Sequence, residues 1–397
     1  MAETSGAGAG RGRVAHRDFL PAVEGMRACA AMGVVVTHVA FQTGYTSGAL
    51  GRLLGRFDLA VAVFFALSGF LLWRGHAAAA RGLRSRPPTG RYLRSRLVRI
   101  MPAYLVAVVV VLLLLPGAAN SLEVWLTNLT LTQIYWPLTL TSGLTQMWSL
   151  SVEMSFYLAL PLLAWLLYRV PVRARIPVLL AAAAASLLWV RIPWEDNGHN
   201  PWNWPPAFLS WFAAGMVLAE LTVSREGWAH RLARRRVLMA LAAVVAYCVA
   251  ASPLVGLEGL APGSITQVTL KTVMGALLAY TLLAPLVLDT PDTSHRILGS
   301  APMVTLGRWS YGLFIWHLAA LAMVFPMIGS FPFQGNLPVV LALTLLFGWA
   351  MAAVSYGLVE EPCRQAWRRW EARRAQRHHH RPDPLDSSID PTPAPAS

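Results

Sequence analysis

Ten long apolar runs, separated by shorter polar or arginine-rich segments, decide what this chain can fold into. Each run is close to the length of about 17–25 residues at which a helix crosses the hydrocarbon core of a bilayer. Lipid offers no hydrogen-bond partners, so the backbone of such runs must be satisfied inside helices. The sequence therefore predicts an all-α polytopic membrane protein, a bundle of about ten transmembrane helices. The runs lie at 20–41, 57–73, 100–116, 147–168, 175–190, 206–221, 236–252, 266–288, 302–325 and 337–358.

The composition agrees with a membrane protein and argues against a soluble domain and a nucleic-acid-binding protein. Only 13% of the residues are charged, whereas a soluble domain carries about 25% and needs them to cover its surface. The net charge of +14 comes almost entirely from arginines, because Lys271 is the only lysine among the 33 basic residues. These arginines cluster between apolar runs and form no continuous basic patch, so we expect no nucleic-acid partner.

The basic residues also predict the orientation. They concentrate at the N-terminus, in the segments after runs two, four and six, and in the tail, whereas the intervening segments carry few. By the positive-inside rule, both termini are cytoplasmic and the protein is a multi-pass protein of the cell membrane. We expect a cytoplasmic segment at 1–17 without a cleavable signal peptide, a membrane domain at 18–365 and a disordered basic, then Pro/Ser-rich tail at 366–397.

Three other features are open to more than one interpretation. The long segment 117–146 is predicted to be an interfacial or re-entrant piece on the outer side. The outer segment 191–206 combines tryptophans with carboxylates and amides, which suits sugar binding, although an interfacial aromatic belt is the favoured interpretation. The triplet His378–His380 is attributed to a solvated tail, and no metal site is expected.

The first apolar run carries Glu24, Arg27 and His38 on one helical stripe. At about 100° per residue, Arg27 and His38 differ by only about 20°, and His38 lies about 16 Å farther along the helix. Ionisable groups inside a span are costly, so they usually line a functional cavity. The alternative is a buried Glu–Arg pair that only fixes packing, with the histidine bonded to a carbonyl.

Two later runs carry polar stripes of their own. Ser149, Glu153 and Tyr157 follow one another at a spacing of four residues, and run nine places Ser310 and His317 in a third stripe. Two imidazoles, a carboxylate and several hydroxyls within one bundle suit proton transfer. They suit a membrane enzyme and a proton-coupled transporter or exporter equally well.

Six blocks of sequence resemble the acyltransferase-3 family of integral membrane O-acyltransferases. The first block departs mildly from the family, which usually has Asp where this chain has Glu24. The blocks occur in order, which makes the resemblance more specific than any one of them alone. They are Val23–Arg27 with Val34–His38, Phe57–Leu59 with Phe64–Leu71, Arg96–Pro102, Trp148–Glu153 with Phe156, Tyr157 and Pro161, Ser310–His317, and Glu360–Pro362.

The resemblance implies transfer of an acyl group, acetyl or another short acyl, from cytosolic acyl-CoA to a hydroxyl of a carbohydrate or a glycosylated metabolite. It implies no tightly bound cofactor, and the bilayer, acyl-CoA and the acceptor are the partners. Arg27, Arg96 and Arg99 are the candidate donor-binding residues, since guanidinium groups bind phosphate bidentately. The alternative for the pair on run three is positive-inside anchoring.

The chemistry is assigned to residues of the polar stripes. His38 is the candidate base for the acceptor hydroxyl, and an acyl-enzyme on His38 or Tyr157 is the alternative to direct transfer. The candidate catalytic residues are His38, Glu153, Tyr157 and Glu24, and the candidate substrate or support residues are Ser149, Ser310, His317 and Asp58. The rival function is proton-coupled transport, for which an inverted repeat is expected; none is visible in the sequence.

Overall fold

The computed structural model describes residues 19–379, except 119–120, 195–197, 199, 257–262 and 291–294. The described residues are 77% helical and contain no strand. It is an all-α polytopic membrane protein, as the apolar runs predict. The predicted N-terminal segment 1–17 and the part of the tail after 379 lie outside the described residues.

Fourteen α-helices follow one another in the described part of the chain. The first seven are α1 (Pro21–Gln42), α2 (Gly48–Gly55), α3 (Ala60–Ala79), α4 (Thr89–Leu114), α5 (Leu122–Leu129), α6 (Trp148–Leu167) and α7 (Arg175–Ser186). The others are α8 (Leu209–Thr222), α9 (Trp228–Arg234), α10 (Arg236–Ala250), α11 (Ile265–Val287), α12 (Ala301–Met327), α13 (Leu337–Ser355) and α14 (Glu361–His379). A short π-helical turn, Tyr356–Glu360, joins α13 to α14.

All ten apolar runs fold as helices, and eight helical segments in the described part are long and apolar enough to cross a membrane. The other two runs form the shorter helices α8, with 14 residues, and α10, with 15. Both are shorter than a full span. Helix α8 is the more deeply packed of the two, and ten of its side chains are buried inside the bundle.

Helices α3 and α8 pack closely because glycines remove side chains where the backbones meet. A Cβ atom added to Gly215 would lie 1.8 Å from the backbone oxygen of Ala66, and one added to Gly69 would lie 2.2 Å from that of Phe212. Small residues of this kind allow close helix contacts where lipid provides no hydrophobic driving force. Stacked rings beside this contact, Phe65 on Phe212 at 4.5 Å and Phe156 on Phe212 at 4.0 Å, extend it to α6.

Helices α1 and α12 are also in close contact. This contact determines which residues of the two helices lie at the same height in the bundle. A Cβ atom on Gly307 would lie 2.2 Å from the backbone oxygen of Glu24. The two helices therefore begin at the same end of the bundle, where the arginine-rich segments lie, and we call this the basic end. Residues a similar distance along α1 and α12 consequently face each other.

Two of the predicted segments can be compared with the structure. Residues 117–146, predicted to be an interfacial or re-entrant piece, contain α5, and Asn128 is fully buried, donating hydrogen bonds from Nδ2 to Val124 O and Thr139 O at 2.9 Å each. The first part of the predicted disordered tail, 366–379, is helical as part of α14. The helix is held against α4 by the Arg91–Glu371 ion pair at 2.8 Å.

Candidate active site

A cleft opens between α1, α3, α4, α6 and α12 and has a cavity volume of about 70 Å³. Half of its lining residues are apolar and half are polar. The polar lining residues are Arg27, Ser68, Arg96, Arg99, Ser149, Glu153, Tyr157, Ser310 and Tyr311. Seven of the eleven predicted site residues therefore meet in this cleft: Arg27, Arg96, Arg99, Ser149, Glu153, Tyr157 and Ser310.

Three guanidinium groups line the cleft. Arg96 and Arg99 are one turn apart on α4, and Arg27 comes from α1. Arg27 is held by Glu24 of the preceding turn, with 3.2 Å between Nη1 and Oε2. The Nε of Arg96 is buried and has no hydrogen-bond partner in the described part of the chain. The cleft thus concentrates positive charge in an apolar setting, where an anion would be strongly bound.

Glu153 is the carboxylate at the centre of the cleft, and two hydroxyls donate to the same oxygen. Tyr157, one turn later on α6, donates from Oη to Glu153 Oε1 at 2.5 Å. Ser68, on α3, donates from Oγ to that oxygen as well. The backbone oxygen of Tyr157 accepts a bond from the Tyr92 hydroxyl at 3.2 Å, which ties this turn of α6 to α4. Glu153 is thereby fixed in position by its neighbours on both sides.

His38 and His317 form a second polar group that does not line the cleft. The Nδ1 atom of His38 lies 2.8 Å from Val34 O and 3.2 Å from Nε2 of His317. The Nδ1 atom of His317 lies 2.7 Å from Phe314 O. His317 is fully buried, whereas His38 remains partly exposed. The pair is therefore accessible only through the edge of His38.

Two phenylalanines separate the cleft from the histidine pair. Phe64 and Phe314 both line the cleft, and their ring centroids are 6.2 Å apart in an edge-to-face arrangement. The ring of Phe314 is also 6.0 Å from that of His317, which does not line the cleft. Along α12, Ser310, Phe314 and His317 follow one another about one turn apart. The rings thus lie between the level of the cleft and the level of the histidines.

Two further predicted site residues, Asp58 and Glu24, do not line the cleft. Asp58 lies at the end of the bundle away from the basic end and forms an ion pair with Lys271 of α11, because α3 begins beside α11 there. Glu24 does not line the cleft but bonds to Arg27. The one helical stripe that carries Arg27 and His38 is divided by the phenylalanine rings from α3 and α12.

Sequence reasoning missed Ser68 as a site residue. It lies in the block Phe64–Leu71, which was noted only as part of the resemblance. A serine in an apolar run usually donates to a carbonyl of its own helix, as Ser149 does to Gln146 O at 3.2 Å and Ser310 to Gly307 O at 2.7 Å. Its spacing of four residues from Phe64, within a block that resembles the family, is the signal that was available.

Trp194 and Trp204 of the segment 191–206 form a packed cluster with the neighbouring Trp189. The ring of Trp194 lies 5.0 Å from Trp189 and 5.4 Å from Trp204. The indole N–H of Trp189 donates to Pro201 O and that of Trp204 donates to Ile134 O, both at 2.9 Å. The bond from Trp204 ties the segment to Ile134. The carboxylates and the histidine of the proposed sugar surface, at 195, 196 and 199, lie outside the described residues.

Comparison with known proteins identifies the family. A family model described as an acyltransferase domain, that of the acyltransferase-3 family, matches residues 20–356. The chain belongs to the acyltransferase-3 family. The match confirms the resemblance to this family, and five of the six blocks lie within the matched residues. It identifies the chain as an O-acyltransferase, so proton-coupled transport is set aside.

Two curated relatives of this acyltransferase span most of its length. The acyltransferase MdmB of Streptomyces mycarofaciens is 28% identical over 366 residues, which cover 87% of this chain and 91% of the relative. The O-acetyltransferase OatA of Staphylococcus aureus (strain NCTC 8325 / PS 47) is 23% identical over 378 residues, covering 87% of this chain and 57% of the relative. No solved structure matches this chain.

Proposed function

We propose that this acyltransferase moves a short acyl group, such as acetyl, from acyl-CoA to a hydroxyl of a carbohydrate or a glycosylated small molecule. The observation that carries the proposal is the convergence of Arg27, Arg96 and Arg99 with Glu153 and Tyr157 in one cleft. The guanidinium groups can bind phosphate oxygens of the acyl-CoA donor, and the carboxylate and hydroxyls of the same cleft can act on its thioester.

The environment of the arginines supports donor binding over membrane anchoring. Arg91 pairs with Glu371, and the Arg94 guanidinium lies 5.7 Å from the ring of Trp370, so both side chains are engaged at the surface of the same helix. Arg96 and Arg99 instead line the cleft. Guanidinium groups form forked hydrogen bonds with phosphate oxygens, and the buried Nε of Arg96 is a donor that a ligand oxygen would satisfy.

The hydrogen bonds of the histidine pair support His38 as the base for the acceptor. His317 Nδ1 faces a carbonyl oxygen and must carry its proton, so His317 Nε2 is an acceptor. His38 Nδ1 lies beside two acceptors, Val34 O and His317 Nε2. The neutral His38 ring therefore carries its proton on Nδ1. The Nε2 atom of His38 is left with a lone pair, which can take the proton of an acceptor hydroxyl as that oxygen attacks the acyl carbon.

Glu153 and Tyr157 serve the acyl-donor side of the reaction. Glu24 orients Arg27 through their ion pair. Ser149 and Ser310 shape the wall between Glu153 and the phenylalanine rings while donating to their own helices. Asp58 has a supporting role at the opposite end through Lys271. No group of metal ligands occurs among the described residues, and the proposed chemistry uses none.

The cellular arrangement follows from the charge pattern. We infer that the basic end faces the cytoplasm and that the protein lies in the cell membrane with both termini inside. Acyl-CoA then enters from the cytoplasm as a co-substrate, and the partly exposed edge of His38 lies near the outer side. Two acceptor classes remain within the proposal, an outer-surface polysaccharide and a glycosylated metabolite similar to a macrolide.

The test is acyl transfer by the purified protein in detergent. Acetyl-, propionyl- and butyryl-CoA are supplied with a panel of alkyl glycosides, and thiol release and acylated glycoside are both measured. We expect acylated glycoside from the native protein and at least a hundredfold less from His38→Ala, since a general base contributes about 10²–10⁴ in rate. Full turnover by His38→Ala, or the absence of thiol release with every donor, contradicts the proposal.

A further inference from the structure

Three serines line the cleft, and the hydroxyl of Ser68 differs from the other two in its partner. Ser149 and Ser310 each donate to a backbone oxygen of the preceding turn, and a hydroxyl held in that way has no base beside it. Ser68 donates to the carboxylate of Glu153, and its Oγ also lies 3.5 Å from Tyr157 Oη. Ser68 is partly exposed, and the cleft gives access to its side chain.

This arrangement has the three parts of an activated nucleophile. A hydroxyl, a base in hydrogen-bond contact with it, and a third group that orients the base are the recurrent signature of covalent catalysis. Ser68, Glu153 and Tyr157 fill these parts in order, because the Tyr157 hydroxyl fixes the same carboxylate oxygen at 2.5 Å.

We propose that Ser68 is a catalytic nucleophile that carries the acyl group as a transient ester between the acyl-CoA donor and the acceptor. This inference rests on the proposed donor and deepens the proposed function. It differs from an acyl-enzyme on His38 or Tyr157, because the attacking atom is the Oγ of a residue on α3. Transfer then takes place in two half-reactions.

The two half-reactions balance as follows. Ser68 Oγ attacks the thioester carbonyl carbon and gives its proton to Glu153, the carbon–sulfur bond breaks, and the CoA thiolate takes a proton from water. The acceptor hydroxyl then attacks the seryl ester and gives its proton to His38. The bond from the acyl carbon to Ser68 Oγ breaks, Glu153 returns its proton to that oxygen, and His38 releases its proton to water.

The separation of the two bases is the reason for a covalent intermediate. Glu153 lies in the cleft and His38 lies beyond Phe64 and Phe314, so the two groups do not face one bound hydroxyl. Ser68 is one turn from Phe64 on α3, which places its ester directly below the rings. An acyl group on Ser68 has left the donor and needs only a rotation of those rings to meet an acceptor beside His38.

The experiment is isotope exchange between acetyl-CoA and radiolabelled CoA by the purified protein without an acceptor. A seryl ester predicts exchange in the native protein and in His38→Ala, since the first half-reaction does not use the histidine. Ser68→Ala and Glu153→Gln are expected to lose exchange by at least a hundredfold. Ser151→Ala is the matched control, because this buried serine on α6 lies outside the cleft lining and donates to Met147 O.

A second readout keeps the proposal independent of folding defects in the variants. The native protein and His38→Ala, quenched in acid after incubation with acetyl-CoA, should yield a peptide with an acetyl ester on Ser68. Ser68→Cys should yield a thioester that hydroxylamine cleaves. Acyl transfer to glycosides without exchange and without a labelled Ser68 peptide overturns the intermediate and leaves the proposed function standing. If acetyl-CoA is neither exchanged nor consumed, the donor assignment itself fails.

Discussion

Replacing Arg96 and Arg99 by alanine, one at a time, should weaken use of the acyl-CoA donor. Each guanidinium lines the cleft and can form a forked, charge-assisted bond with a phosphate oxygen. Hydrogen bonds to charged groups contribute about 1.5–3 kcal/mol. Since about 1.4 kcal/mol is a factor of ten, each variant should raise the KM for acetyl-CoA by about 10–150-fold. A lysine in either position keeps the charge but cannot form two parallel hydrogen bonds with a phosphate, so the lysine variants should raise this KM less than the alanine variants.

A shortened donor without phosphates tests whether the rise in KM comes from lost contacts between arginine and phosphate. With acetyl-pantetheine, which has the thioester but no phosphates, the native protein should work poorly and the alanine variants should be no worse. The interaction energy from this double-mutant cycle isolates the contact between arginine and phosphate. Thiol release in detergent gives both kinetic constants for each pair of enzyme and donor.

Arg94 provides the matched control. It lies on the same helix, but its guanidinium packs near the rings of Trp367 and Trp370, 5.8 and 5.7 Å away, outside the cleft. Arg94→Ala removes the same charge from the basic end and should leave the KM for acetyl-CoA within about twofold of the native value. If Arg94→Ala and Arg96→Ala raise this KM equally, the arginines act as topological anchors and the assignment of the donor site is refuted.

Three further variants test other parts of the structure. His317→Leu removes the nitrogen that accepts a hydrogen bond from His38 Nδ1. The loss of this bond, about 1 kcal/mol, should lower kcat about fivefold and leave the KM for acetyl-CoA unchanged. Glu220→Gln leaves the guanidinium groups of Arg81 and Arg175 without their buried carboxylate partner. Thermal unfolding in detergent should show that the free energy of unfolding falls by about 3–5 kcal/mol. Glu226→Gln breaks an exposed ion pair and should change the free energy of unfolding little. Gly215→Ala should lower the free energy of unfolding by about 1–3 kcal/mol, because the added methyl group overpacks the contact between α3 and α8. Gly357→Ala should be tolerated, because a Cβ atom added there has no atom within 4 Å.

The helices could be predicted from the sequence because span length and apolar character are local properties of the chain. All ten runs are helical, but α8 is shorter than its run because Pro205–Phe208 forms a 3₁₀ turn before it. The helix that replaces the predicted disorder at 366–379 depends on a tertiary contact. Arg91 of α4 reaches Glu371 across the bundle, and no local composition reports such a pairing.

The candidate site could be predicted in part for the same reason. Helical spacing correctly placed Ser149, Glu153 and Tyr157 on one wall, and the resemblance supplied the arginines. Spacing along α1 fixed the direction of Arg27 and His38 but not what lies between them. The rings of Phe64 and Phe314 come from other helices, so the division into a cleft and a histidine pair appears only in three dimensions.

Donor binding and acyl transfer, measured side by side in one variant, test the central claim most directly. The claim is that Arg27, Arg96 and Arg99 bind the donor while His38, beyond the phenylalanine rings, activates the acceptor. His38→Ala should bind desulfo-CoA, which keeps the phosphates but cannot carry an acyl group, with the native Kd. The same variant should transfer acetyl groups to glycosides at least a hundredfold more slowly. Native rates of transfer in His38→Ala, or loss of desulfo-CoA binding in it, would contradict this division of roles.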